Sequence, residues 1–125
     1  MRLRSWRTNQ NGATAVEFAL TAPAFFVLVV GGIQVGLLGW AQVALQQGTE
    51  AAARCASVNK TVCSSATAIK AYASAQSYGL NPPVATFTVS TPACGNMVQA
   101  NYTPTFMSTF VMSGITLTAS SCFPT

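Results

Sequence analysis

Few residues in this chain are able to do acid–base chemistry. Glu17 and Glu50 are its only acidic side chains, and it has no histidine. That excludes most general acid–base pairs, most metal sites and a Ser/His/Asp arrangement, because each needs a proton acceptor held beside its partner. A serine without a base is only a hydroxyl. No catalytic residue, metal ligand or cofactor site is expected. Two other patterns carry chemistry. Gly12 stands five residues before the pair Glu17-Phe18, where the chain enters a long apolar run. Four cysteines, Cys55, Cys63, Cys94 and Cys122, all follow that run. Their intervals are long and contain no C-x-x-C, which argues against zinc. In an exported segment an even number of cysteines reads as two disulfides.

The element that positions both patterns is the apolar run. No charged residue lies between Glu17 and Glu50, and Phe18 to Leu45 is apolar or small apart from Thr21, Gln34 and Gln42. About 20 apolar residues cross a bilayer as a helix, and a secretory h-region of about 7–15 residues is shorter than this run. The span is placed at about residues 18–45. Arg2, Arg4 and Arg7 precede it, and no cation follows closely. That asymmetry predicts a cytoplasmic N-terminus and an exported C-terminal part. Only 6% of residues are charged, and the formal net charge of +4 comes largely from those three arginines. Nothing here makes a basic, aromatic-studded face for nucleic acid.

The stretch "AQVALQQGTEAAARCASV" favours helix, so the span is expected to continue to about residue 57. Such a helix over residues 14–57 is roughly 65 Å long. A second helix is predicted over residues 64–79, capped by Ser64 or Ser65 and ended by Gly79. Asn81 to Pro83 then breaks it. Three alternating segments follow: Val84 to Ser90, Asn96 to Thr103, and Gly114 to Cys122. Each reads as a half-buried strand. Phe106, Phe110 and Val111 stand at helical spacing and predict a short helical turn. The fold class is therefore α+β: a long N-terminal transmembrane helix running into a small head with a short second helix and a three-stranded antiparallel sheet. The divisions are 1–12 as basic leader, 13–57 as long helix and 58–125 as head. A head this small needs staples. Four cysteines allow three connectivities. Cys55–Cys63 with Cys94–Cys122 is favoured, because Cys94 and Cys122 both end strands of one sheet.

Glu17 has a local explanation. Thr14 with Glu17 fits the T-x-x-E capping box, and a carboxylate suits a helix N-terminus. That does not account for Gly12, the basic leader or Pro23. Together, Gly12, four residues, Glu17-Phe18 and the apolar helix resemble the processing site of type IV pilin-like precursors. More closely, "GATAVEFALTAPAFFVLVVGGIQVG" resembles the N-terminus of TadE-like proteins, the pseudopilins (minor pilins) of the tight-adherence pilus. The tail "YTPTFMSTFVMSGITLTASS" is more loosely similar. The resemblance covers residues 1 to about 50 and 102 to 121, and the family carries no fixed cysteine pattern.

The resemblance implies that a prepilin peptidase cuts between Gly12 and Ala13. It also implies that Glu17 of one subunit meets the new amine of its neighbour, since a carboxylate in lipid wants a partner. The partners so implied are the peptidase, other pilin subunits and the inner membrane, with the head exported to pilus or cell surface. Pro23 is either a tolerated membrane proline or a point where the helix loosens. Gly32 and Gly36 form G-x-x-x-G, a pattern that lets helices approach closely. Gln34 is placed to bond a neighbouring helix, and Trp40 to sit at the outer interface. The competing expectations are an unprocessed single-pass anchor whose head binds an envelope partner, and a pseudopilin of a related secretion system.

Overall fold

The computed structural model describes residues 11–105 and 114–125. The leader up to residue 10 and the expected turn at Phe106, Phe110 and Val111 lie outside the described residues. Two compact units divide the chain, Met1–Val35 and Gly36–Thr125. Helix α1, Asn11–Val58, contributes to both.

In the first unit α1 carries large apolar side chains on all sides. Phe18, Leu20, Phe25, Phe26, Val27 and Leu28 are all exposed, Leu28 to 76%. A helix suits such a segment because it satisfies its own backbone where no water is available. Pro23 sits inside the helix and has no amide to offer the carbonyl of Ala19. Two residues before Pro23, Thr21 Oγ1 donates to the carbonyls of Glu17 and Phe18 at 3.0 and 3.3 Å. Back-bonding of this kind slightly weakens and bends a helix. The capping-box reading does not hold. The helix is already formed at Asn11, so Thr14 lies within it rather than at its cap.

In the second unit α1 becomes a packing element. Ala41, Ala44, Leu45, Ala52, Ala53 and Ala56 are buried at helical spacing. Helix α2, Ala66–Ala75, starts at Ser65, whose hydroxyl accepts from the amide of Ala68 at 3.2 Å. Its N-cap is one of the two serines expected, but it ends earlier than Gly79. Ser74 Oγ donates to the carbonyl of Pro82 at 2.7 Å. Tyr78, Gly79 and Asn81 all have positive φ, so the chain has left helical geometry before the glycine. Gly79 shapes the turn and does not cap the helix.

Strands β1 (Phe87–Ser90), β2 (Asn96–Tyr102) and β3 (Leu117–Phe123) form an antiparallel meander in that order. The first strand is shorter than its alternation suggests. Val84–Thr86 is a 3-10 turn, closed by a bond from the Thr86 amide to the Pro83 carbonyl at 2.9 Å. β3 likewise begins at Leu117 rather than Gly114. Phe87 stands opposite Ala100, which stands opposite Ala119. One large ring beside two methyls fills the inner face without overpacking. With Val98, Ile69, Ala73, Leu45 and the alanines of α1, these residues make the core.

Two disulfides close the head in the favoured connectivity, Cys55–Cys63 and Cys94–Cys122. The first pins the end of α1 to the turn that follows. The second ties the β1–β2 loop to β3. Gly95 makes that loop possible. Its φ is 122°, and a side chain there would strike the Phe123 carbonyl and lie 2.7 Å from Pro124 Cα. Polar ties from α1 complete the seam. Gln42 Nε2 donates to the Thr118 carbonyl at 2.8 Å, and Asn96 Nδ2 to Ser57 Oγ at 3.0 Å.

Candidate functional site: the N-terminal helix

Apart from Cys63, Cys94 and Cys122, the residues singled out by sequence lie on α1. Gly12 and Ala13 are in its first described turn, both exposed, with open space around Gly12. A peptide bond there is on a helix, yet no packed neighbour shields it. Glu17 is exposed, and no ion pair is formed to its carboxylate among the described residues. Its backbone carbonyl, by contrast, is held by Thr21.

Phe18 borders an open apolar hollow of about 350 Å³ with Thr21, Ala22, Phe25 and Phe26. The rings of Phe25 and Phe26 meet edge to face, with centroids 5.9 Å apart. The small Ala22 between bulky rings leaves a socket on the helix surface. Pro23 lies beside it. Gly32 and Gly36 have nothing within 4 Å of where a side chain would stand. Their smallness is therefore not used inside this chain. Gln34, one turn between them, is buried at 8% exposure.

A different glycine does close packing, and sequence reasoning passed over it. A side chain on Gly48 would overlap Ser77 Oγ and lie 2.7 Å from the Ala73 carbonyl. Ser77 is fully buried and donates to that same carbonyl at 2.7 Å. Gly48 thus lets α1 and the end of α2 touch backbone to backbone. The signal was an isolated glycine inside an otherwise strong helical pattern, which usually has a packing reason.

Elsewhere in the head a hollow of about 670 Å³ is lined by Gln47, Glu50, Ala51, Arg54 and Ser121 to Phe123. Its lining holds one carboxylate, Glu50, and one guanidinium, Arg54. Among the described residues no group of three or more His, Cys, Asp or Glu is placed to hold a metal.

Helix α1 is long and apolar enough to cross a membrane, and it leads into a small disulfide-closed α+β head. Residues 12–54 match the model of the TadE-like protein family. The match starts at Gly12 and extends along α1 into the head as far as Arg54. No curated protein and no solved structure matches the chain.

Proposed function

We propose that this protein is a structural minor pilin or pseudopilin of a bacterial Tad-type pilus. It is made as a precursor, inserted with the basic leader in the cytoplasm, cut after Gly12 by a prepilin peptidase, and assembled through its N-terminal helix. The observation that carries this reading is the overlap of the family match with the exposed apolar stretch of α1. The family match begins at Gly12, and from there the helix exposes its large apolar side chains through Val35. A surface of that kind belongs in lipid or against other helices.

The lipid-facing length in this reading ends before residue 45, the expected limit. Ala41, Ala44 and Leu45 are buried within the head, so the proposed span runs from Phe18 to about Trp40. That is still about the 20 residues a bilayer needs. Trp40, partly exposed at its end, suits the outer interface. Cutting after Gly12 places a cationic amine on Ala13, and Glu17 of an adjoining subunit supplies its counter-charge. Both groups are exposed and are available to such a contact. Pro23 and the Thr21 back-bond weaken the helix just after Glu17, which supports local loosening as subunits leave the membrane. Gly32 and Gly36 offer a close-approach face to a neighbouring helix.

Intact mass after co-expression with a prepilin peptidase tests the reading. Loss of the first twelve residues is expected, and Gly12→Ala abolishes it. An unchanged mass favours the unprocessed anchor. Glu17→Gln keeps hydrogen bonding but removes charge. It is expected to leave cleavage intact and to reduce incorporation into filaments, measured by quantifying the protein in sheared pili. Normal incorporation of Glu17→Gln removes the register role.

A further inference from the structure

Within the head, α1 has a second face. Gly36, Trp40, Val43, Gln47, Glu50 and Arg54 recur at spacings of four and three, and all six are exposed. That spacing keeps them on one side of a helix. The buried alanines of α1 lie on the other side, in the core with α2 and the sheet. At the end of the exposed stripe stand two opposite charges one turn apart, Glu50 and Arg54. A hollow of about 670 Å³ runs beside them to Ser121, Cys122 and Phe123 of β3, which leaves both groups room. Among the described residues neither forms an ion pair.

Glu50 is the only acidic side chain after Glu17. The side-chain counter-charge that a copy of this head offers to Arg54 is therefore Glu50. Within one copy the order Glu then Arg, four residues apart, is weakly favourable on a helix. Between two parallel copies the stagger decides the sign. With no stagger, Glu50 faces Glu50 and Arg54 faces Arg54, which repels. With one copy raised by four residues, about 6 Å along α1, its Glu50 comes level with Arg54 of the other. The contact proposed above between Glu17 and the amine of Ala13 also spans four residues. There too the first residue of the raised copy meets the second residue of the other. Both charge pairs ask for the same stagger in the same direction, and this agreement favours a second copy of the chain as the occupant.

We propose that Glu50 and Arg54 form a second register contact between subunits. The exposed face of α1 in the head packs along the same face of a parallel second copy displaced by four residues, and Arg54 of one copy binds Glu50 of the other. The guanidinium suits this place, because it takes a carboxylate through two parallel hydrogen bonds. The stagger rests on the assembly reading above, whereas the contact itself is readable in the membrane without any pilus.

The test places p-benzoyl-phenylalanine at Gln47, on the same face one turn before Glu50, in the full chain. Cells carry a prepilin peptidase and a Tad-type pilus system. Light joins touching copies, and mass spectrometry identifies the adducts separately in total membranes and in sheared pili. The parent chain is expected to give an adduct with itself. Glu50→Arg or Arg54→Glu alone is expected to cut that adduct about fivefold, because attraction becomes repulsion. The double variant Glu50→Arg/Arg54→Glu restores it, and Lys60→Gln leaves it unchanged. The deciding arm expresses the two single variants in one cell. Each repels its own kind, but the two together meet with opposite charges, so the adduct returns. A pair confined to one helix has no such rescue in trans. Protein level and intact disulfides on a non-reducing gel confirm that each variant is folded. The proposal is overturned if the parent chain gives no adduct with itself, if the adduct is with a different protein, or if the mixed variants fail to recover. Adducts in membranes from a chain that never enters pili leave this contact standing and remove the assembly reading. A chain that enters pili without adducts does the reverse.

Discussion

One helix lives under two regimes. From Gly12 to Val35, α1 is apolar on every side and its large side chains are exposed. From Gly36 to Val58 the same helix buries a stripe of alanines, with Leu45, Gly48 and Thr49, and turns Gln46, Gln47, Glu50 and Arg54 outward. Residue size separates the two more than hydrophobicity does. Bulky Phe, Val and Leu in all directions cannot converge on one small head. Ala and Gly on one stripe let a sheet and a second helix come close. The first segment is a surface awaiting lipid or other helices, and the second is already satisfied by its own chain.

The sharpest way to break this comparison is to cut the core that the second segment serves. Phe87→Ala removes the largest fully buried side chain and should cost about 3–5 kcal/mol. Chemical denaturation of the full chain in micelles, followed by near-UV circular dichroism, measures it. A next smaller effect is expected at the disulfides. Replacing both Cys94 and Cys122 by Ser opens a loop with a sequence separation of 28, at about 3–4 kcal/mol. Replacing Cys55 and Cys63 opens one of separation 8, at about 2–3 kcal/mol by the same chain-entropy reckoning. Equal losses at the two bridges would refute loop length as the main term.

The glycines give a paired test. Gly48→Ala forces a methyl against Ser77 and the Ala73 carbonyl, and overpacking of that kind costs about 1–3 kcal/mol. Gly32→Ala meets open space and should leave head stability alone. Its effect, if the helix packs on neighbours, is read in filament incorporation. The smallest change in head stability is expected for Leu28→Ala. It removes an exposed side chain, so the denaturation midpoint should move by less than about 0.5 kcal/mol. A large loss there would mean that the two segments do not have separate duties.

Legibility in the sequence followed locality. The long helix, a cap at Ser64 or Ser65 and the alternation in β2 were readable, because each depends on neighbours a few residues away. The disulfide pairing followed once two strand ends were assigned to one sheet. The capping box at Thr14 and Glu17 failed because the pattern matches equally well inside a helix. The first strand was read too long because Val84 to Thr86 alternates correctly, while Pro82 and Pro83 divert the backbone into a 3-10 turn. Gly79 was credited with ending α2, although the helix already ends at Ala75 with Gln76 as its C-cap.

By itself the sequence determined the apolar run, the three arginines before it, the Gly12 and Glu17-Phe18 motif and the scarcity of acid–base side chains. These are properties of composition and short spacing, and folding does not alter them. Only the tertiary structure decided where the helix stops being a free surface, which glycine is used for close contact, and which side chains align across the sheet. Those depend on residues such as Gly48 and Ser77, or Thr88, Gln99 and Ser120, which are distant along the chain. Their meeting is set by packing density and strand register, and neither is written in any local window.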